Sequence, residues 1–477
     1  MINSNSSLKM NDIINAIPKE IDDKNFANDS MESLIARISS KTMPFNSIPR
    51  LWILGSMQAK IAIGYLAYSF RSNFVNKTEK QRLLNETNLK TALKLLGTMS
   101  YLRGIIMKAG QVLSNIPHVI PEEISDIIGS LQFEAPPMHY SLIREVLLDE
   151  LGREPEEIFA SFDKKAFAAA SIGQVHRAKL KNGEDVAVKI QYPNIAKTIQ
   201  SDMNNLRAIL QPMHMKSEYK FLIDHLKDAE KMFMVETDYI KEANFMKKVK
   251  KLFTDEDKII IPGVYDEYST KRVLTMDFIP GCHLKKFLSS KPDQNLRNHH
   301  GELISKCNFR IFFKTKTMYS DLNPGNFIFM DGGKLGVIDF GNQRNLSDEK
   351  LRFFDDIEKA ILNKDLKNFD KLMAEVCLCS DFKKIEPGKI ECIKKLSFWQ
   401  LEPIMENKIF DFGNTDYYKS GIEAYTESIR QQTIQYDSLY NWWQRLIIGH
   451  RTLLYRLRSK FNYYDVYKKE QENTGGI

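Results

Sequence analysis

The chain has 477 residues, 43% hydrophobic and 27% charged, with 68 Lys and Arg against 61 Asp and Glu for a formal charge of +7. This composition excludes a disorder-dominated chain and leaves room for two or three compact domains, while 23 Gly and 16 Pro are too few for long flexible linkers or collagen-like repeats. The mild basic excess, spread over a large surface, is not the concentrated patch of a nucleic-acid-binding protein, and it allows attraction to an anionic membrane without requiring it. Five scattered cysteines, Cys282, Cys307, Cys377, Cys379 and Cys392, form neither a disulfide framework nor a zinc-type pair. A reducing compartment fits, and a cytoplasmic protein is expected.

In chain order, residues 1–87 read as a polar leader followed by a membrane-associating helix. The first 30 residues have no signal-peptide core, and their acidic residues argue against a transit peptide. Leu51 to Phe70, bracketed by Arg50 and Arg71, has Lys60 at its centre, where insertion costs about 2.5–3.5 kcal/mol. An amphipathic helix, buried or lying on a membrane surface, is expected rather than a spanning one. Residues 88–151 carry apolar positions at helical spacing and form a helical extension. From 152 to 281 the pattern turns to a small α+β lobe. Gln174 to Leu180 and Asp185 to Gln191 predict strands joined by a tight hairpin at Asn182-Gly183, helical periodicity runs from Ile195 to Leu252, and Ile259 to Ile261 and Arg272 to Phe278 read as further strands. From 282 to 477 a larger helical lobe follows, interrupted by one short β region at Phe327 to Ile338.

The chemistry concentrates between Ser320 and Gly341. Phosphoryl transfer needs a carboxylate near the attacking oxygen and a metal held by hard oxygen ligands against the nucleotide phosphates. Asp321 is followed five positions later by Asn326, then by a hairpin turning at Asp331-Gly332-Gly333, then by Asp339-Phe340-Gly341, which is kinase order. Either motif alone would read as a turn cap or the end of a surface strand; their conjunction at this spacing points to a catalytic segment. Upstream, Val186-Ala187-Val188-Lys189 puts a lysine on a buried-type strand, as phosphate neutralisation requires, and Glu236, Asp238 and Glu242 are candidate carboxylates to hold it. Asp238 and Glu242 are expected on one helical face at i, i+4. The strand ending at Asp277-Phe278 resembles a hinge edge whose backbone pairs with adenine. In place of a glycine-rich phosphate loop stand Ala168-Ala169-Ala170-Ser171, whose Cβ atoms restrict the backbone to negative φ and alter the phosphate cradle.

With Lys108-Ala109-Gly110-Gln111, the Ala-rich loop running to His176, Val-Ala-Val-Lys189, Glu236-Thr237-Asp238 with Glu242, and the two catalytic segments in order, the chain resembles the UbiB family of atypical kinase-like proteins, also called AarF. The resemblance covers about Leu89 to Leu346. It implies an α+β, protein-kinase-like two-lobed fold whose N-terminal helical extension packs over the active site, with Lys108, Gly110 and Gln111 reaching the pocket and Lys108 contacting Glu236 and Asp238. It further implies that Lys189 contacts phosphates and pairs with Glu242, that Asn326 and Asp339 hold Mg²⁺, and that ATP or ADP is the nucleotide. ATPase or small-molecule or lipid kinase activity, support of ubiquinone biosynthesis and a lipid or prenyl-quinone-type partner at an anionic membrane surface belong to the same implication, with nucleic acid excluded. One segment departs from the family: its His-Ala-Asp-Pro-His-Pro-Gly-Asn reads Tyr319-Ser320-Asp321-Leu322-Asn323-Pro324-Gly325-Asn326 here, with both histidines replaced. No Ala-Pro-Glu segment follows Asp-Phe-Gly, which disfavours a phosphorylation-regulated protein kinase. The alternatives are a pseudokinase acting as a nucleotide-dependent lipid-binding or interaction module, favoured by the altered loop, and an aminoglycoside- or choline-type phosphotransferase, disfavoured by Lys-x-Gly-Gln and the alanine loop.

Overall fold

The computed structural model describes residues 75, 79–80, 83, 139–170, 172–193, 195–196, 199–200, 203–204, 207, 218–319, 322–373, 387–431, 433 and 438–473. The expected leader, the helix at 51–70, the Lys-x-Gly-Gln segment, Ser171 and Asp321 lie outside the described residues. Among the described residues no helix is long and apolar enough to cross a membrane. The chain divides into two compact units: 1–143 with 165–175 and 191–234, and 144–164 with 176–190 and 235–477.

In the first unit, β2 (Ala168–Ala170) pairs antiparallel with the start of β3 (Gly173–Leu180), Ala168 opposite Val175 and Ala170 opposite Gly173. Tyr192 N–H then donates to Ile172 O at 3.0 Å, tying the return of the chain to this hairpin. Most of helix α2 (Glu218–Glu236) also belongs here, with Glu230 paired to Arg207.

The second unit begins in helix α1 (Tyr140–Leu151), whose Glu150 accepts from Arg272 Nε at 2.6 Å. An antiparallel sheet follows in the order β1, β3, β4, β6, formed by β1 (Phe159–Phe162), residues 176–180 of β3, β4 (Asp185–Gln191) and β6 (Val273–Asp277). The expected hairpin joins β3 to β4: Gly183 takes φ 93°, a conformation glycine reaches without a Cβ penalty, and Leu180 N–H donates to Glu184 O at 2.8 Å. Strand β4 is buried on both faces from Val186 to Gln191, the pattern of a central strand. Strand β1 was not read from the sequence, because its Phe-Ala-Ser-Phe is a single alternation that only pairing with β3 completes.

Helix α3 (Tyr239–Lys250) starts where the Asp238 side chain accepts from Lys241 N–H, and it ends in Lys247, Lys248 and Lys250, as the helix dipole favours. In that run Lys247 pairs with Asp266 at 2.7 Å and Lys250 with Asp277 at 3.3 Å. Strand β5 (Ile259–Ile260) runs parallel to β9 (Leu335–Val337), and β9 pairs antiparallel with β8 (Phe327–Phe329) through the turn at Gly332 and Gly333. Strands β7 (Thr317–Tyr319) and β10 (Gln343–Asn345) form a two-stranded ladder too short to leave a periodic signal in the sequence.

The remainder is helical: α4 (Leu284–Ser289), α5 (Gln294–Thr315), α6 (Asp348–Leu362), α7 (Leu366–Met373), α8 (Pro387–Met405), α9 (Thr415–Arg430), α10 (Ser438–Leu457) and α11 (Tyr463–Glu472), with a short β11–β12 pair at Phe410–Asp411 and Lys460–Phe461. Helix α5 is the central pillar. Its Arg310 grips Glu470 of α11 through Nε (2.8 Å) and Nη2 (2.7 Å), and Asp257 through Nη1 (2.9 Å). Helices α8 and α9 approach so closely that a Cβ on Gly421 would lie 1.8 Å from the Trp399 ring. Trp399 is held rigidly there, donating Nε1–H to Tyr417 O at 2.8 Å.

Because the indole cannot move aside, Gly421→Ala is expected to cost about 1–3 kcal/mol despite alanine's better helix propensity, seen as a lower urea midpoint; an unchanged midpoint would contradict the packing described. A second expectation concerns acid. Burial alone would raise the Asp257 carboxyl, but bonds from Lys306, the Thr254 N–H and Arg310 outweigh it and hold the group at about 2. A folded-state value below the unfolded one stabilises above about pH 4 and is lost as pH falls toward 2. Asp257→Asn is therefore expected to flatten the stability profile between pH 4 and 2, measured by urea unfolding, and matching slopes for the two proteins would count against the account.

Candidate active site

Strand β4 alternates its side chains, and the pairing of Lys189 with Leu274 of β6 fixes which face the lysine takes. Lys189 is 5% exposed, and its ammonium bonds both oxygens of Glu242, at 2.8 and 3.0 Å, and Asp339 Oδ2 at 2.9 Å. Glu242 sits one turn into α3, so the Asp238 cap sets its height along the helix. Asp339 lies two residues beyond β9, and the turn after it is closed by Gly341 N–H donating to Asp339 Oδ1 at 3.0 Å, while Phe340 N–H donates to Glu242 Oε1 at 3.3 Å. Three elements far apart in sequence thus meet at one ammonium.

With one cation and two carboxylates, the cluster carries a net charge of −1 in a buried setting. Burial would lower the Lys189 ammonium, but Asp339 and Glu242 raise it well above its ordinary value and keep it charged. Glu242 bears the cost of this imbalance: burial, only partly offset by Lys189, pushes its carboxyl up to about 7 and so favours its neutral form. Asp339 is the open member, its side chain 26% exposed against 7% for Lys189 and 2% for Glu242.

The hairpin brings Asn326 to this open side. Phe327 faces Val337 across β8 and β9, and one step further Ile338 N–H donates to Asn326 O at 3.1 Å, next to Asp339. Asn326 itself closes a short turn begun by Asn323, whose Oδ1 accepts from Gly325 N–H at 2.8 Å. An asparagine just before β8 and a partly exposed aspartate just after β9 are a hard-oxygen donor set, and Mg²⁺ characteristically uses one or two protein carboxylates, with phosphate oxygens and water completing its shell. Among the described residues no cluster of three or more His, Cys, Asp or Glu forms a metal cage. The residues present fit Mg²⁺ bound with a phosphorylated ligand rather than alone.

The other expected site residues fall out variously. Asp238 does not share a helical face with Glu242: its φ of −118° and ψ of 89° put it outside the helix, as the N-cap. Glu236, at the end of α2, is 6% exposed. The Asp277 side chain is structural, accepting from Gly263 N–H (2.5 Å), Tyr265 Oη (3.0 Å) and Lys250 Nζ (3.3 Å). Asp277 N–H donates to Gly263 O and Phe278 N–H to Asp185 O, so neither donor of the expected hinge pair is spare. Ala168, Ala169 and Ala170 are extended in β2, in keeping with their restriction to negative φ. His176, at the end of that segment, is fully buried, stacked on Phe162, with Nδ1 2.7 Å from Asp163 O.

Two contributors were missed in the sequence. Tyr239 lies with its ring 5.0 Å from Lys189 Nζ, a cation–π contact whose only sequence signal is its i−3 spacing from Glu242. The Gly341 and Phe340 N–H groups that hold the two carboxylates leave no side-chain signal at all.

The ABC1 atypical kinase-like domain matches residues 130–373, just over half the chain. The chain is similar to atypical kinase COQ8, mitochondrial, of Schizosaccharomyces pombe, at 29% identity over 83% of this chain and 63% of that protein, and to its Saccharomyces cerevisiae counterpart, at 31% over 65% and 62%. It is also similar to atypical kinase COQ8B, mitochondrial, of Danio rerio, at 27% over 94% and 73%. It therefore spans under two thirds of the length of the two fungal relatives. Among solved structures, the Rv3197–erythromycin complex from Mycobacterium tuberculosis aligns with a TM-score of 0.53 at 23% identity, covering 84% of this chain and all of that one, which is a likeness of fold. The lysine, the helix-borne glutamate and the Asp-Phe-Gly aspartate meet inside the matched region, and the chain belongs to the ABC1 atypical kinase-like family, the UbiB family that its motifs resemble.

Proposed function

We propose that this protein is a nucleotide-dependent atypical kinase, an ATPase or small-molecule or lipid kinase using ATP and Mg²⁺. The observation that carries the reading is the Lys189 ammonium held between Glu242 and Asp339, with Asn326 tied alongside. In this reading Lys189, kept charged by its two acids, meets the nucleotide phosphates, and Glu242 holds it at the right height on β4. Asp339 leaves its bond to Lys189 and, with Asn326, holds the metal, which when bound supplies charge neutralisation of the phosphates. Asp321 is the carboxylate that orients the acceptor. Catalysis here is positioning and electrostatics, with little covalent work for the protein to do.

Relatives named COQ8 and mitochondrial support a role in ubiquinone biosynthesis, with a prenyl-quinone-type or lipid partner at an anionic membrane surface. We place the protein in a reducing compartment at the periphery of a membrane, within mitochondria if it follows those relatives. Lys108, Gly110 and Gln111, with Glu236 and Asp238, are the family-specific cover of the site.

Magnesium-dependent ATP hydrolysis, measured with and without cardiolipin-containing liposomes, is expected in the wild type and is expected to fall at least about 100-fold in Asp339→Asn, since an electrostatic clamp on the phosphates is lost. A protein that binds nucleotide but never turns it over would instead be a pseudokinase binding module, the reading favoured by the replaced histidines. Ala169→Gly, which frees the backbone of the alanine loop, is expected to change the ratio of ATP to ADP affinity in calorimetric titration; affinities for both nucleotides unchanged from the wild type would remove any special role for that loop.

A further inference from the structure

We propose that the helical part of the second unit holds a separate site for a small carboxylate with an apolar body. A cavity of ≈ 90 Å³ opens among α5, α6, α8, α10 and α11, walled by rings such as Phe312, Phe354 and Trp443. A single water needs only about 10–15 Å³ of such space, so there is room for a short hydrocarbon, and flat apolar walls offer water few partners.

Three polar side chains line it without being used up by the fold. Asn308 on α5 is 6% exposed and Ser397 on α8 is 4% exposed. Among the described residues neither side chain has a hydrogen-bond partner. Arg451 on α10 is 2% exposed; its Nη2 donates to Gln400 O at 3.0 Å, and its Nε and Nη1 have no acceptor. The guanidinium stacks over Tyr463 at 4.5 Å and Phe412 at 5.3 Å. The phenols of Tyr463 and Tyr417 help hold its charge, but they are neutral and supply no counter-ion.

The charges of the wall decide the ligand's head group. Both acids that line the cavity are already engaged, Asp355 by Lys359 at 2.5 Å and Glu358 by Tyr467 Oη and, at 3.8 Å, Lys468. Arg310, elsewhere on the same helix as Asn308, has two carboxylates, whereas no acidic group among the described residues forms an ion pair with Arg451. Glu402 feels the charge of Arg451 but makes no ion pair with it, and a buried cation without an ion-pair partner is the costly half of a salt bridge. A ligand carboxylate answers it while accepting from the Ser397 hydroxyl and the Asn308 amide, and the hydrocarbon part takes the rings. None of the residues of the Lys189 cluster lines this cavity, so the site does not depend on the kinase reading.

The test titrates the full chain with hexanoate, hexan-1-ol and hexylammonium, which share a tail and differ in head group, and follows tryptophan fluorescence and thermal melting. Hexanoate is expected to give a saturable rise in melting temperature, hexan-1-ol one at least about tenfold weaker, and hexylammonium none. Ser397→Ala and Asn308→Ala should each weaken hexanoate about tenfold, the scale of one hydrogen bond to a charged group. Leu401→Trp, which fills the cavity and leaves Arg451 in place, should abolish the response while still melting cooperatively. Equal responses to hexanoate and hexan-1-ol overturn the carboxylate assignment. Undiminished hexanoate binding in both alanine variants, or no binding to wild type at millimolar concentration, overturns the site itself.

Discussion

A lysine with almost no access to water is tolerable only if its charge is answered, and here it is answered twice. Lys189 bonds a glutamate 53 positions away and an aspartate 150 positions away. Removing either acid alone would still leave a paired cation, but removing the lysine would leave two carboxylates facing each other in a poorly solvated setting, the more costly change. The cluster therefore makes the β4 strand, the α3 helix and the Asp-Phe-Gly turn mutually dependent. Much of the surrounding local geometry reads as support for it: the Asp238 cap that sets Glu242, the β8–β9 hairpin that brings Asn326 alongside Asp339, and the backbone N–H groups of Phe340 and Gly341.

The same cluster explains how a structural ion pair and a chemical site can be one object. Asp339 is the one member of the cluster with appreciable exposure. A positive group arriving there meets an acid already half committed, so ligand and lysine compete for the same carboxylate. In the proposed reading, a ligand bound there must offset the loss of the Lys189–Asp339 bond.

The helical half is organised by a contrast between two arginines. Arg310 spends its guanidinium on Asp257 and Glu470, joining α5 to α11 and to the loop before β5, and it behaves as a structural bolt. Arg451 is more deeply buried and rests on aromatic faces with a single carbonyl acceptor. Aromatic faces do part of the work of an anion but cannot neutralise a charge, so the second arginine keeps an attraction for one that the first has already satisfied.

Order and spacing along the chain were enough to read the strand pair around Asn182-Gly183, the lysine of β4 and the hairpin between Asn326 and Asp339, and to narrow the lysine's partner to three carboxylates, because each rests on local rules: a turn that needs a glycine, a strand that alternates, motifs at set spacing. Strands β1, β7 and β10 escaped, being three or four residues long and stable only through partners distant in sequence. Asp238 was read onto a helix face because periodicity cannot tell the cap from the first turn, a distinction made by one side-chain bond to Lys241 N–H. The Asp277 and Phe278 donors looked available for a base until β6 was seen paired to Gly263 and Asp185. By itself, then, the sequence determined which residue types the chemistry has at hand and in what order. Tertiary structure alone decided that Lys189 holds both acids at once, and that Arg451 is buried without an ion pair while Arg310 has two, since charge pairing depends on distances through space that no spacing along the chain encodes.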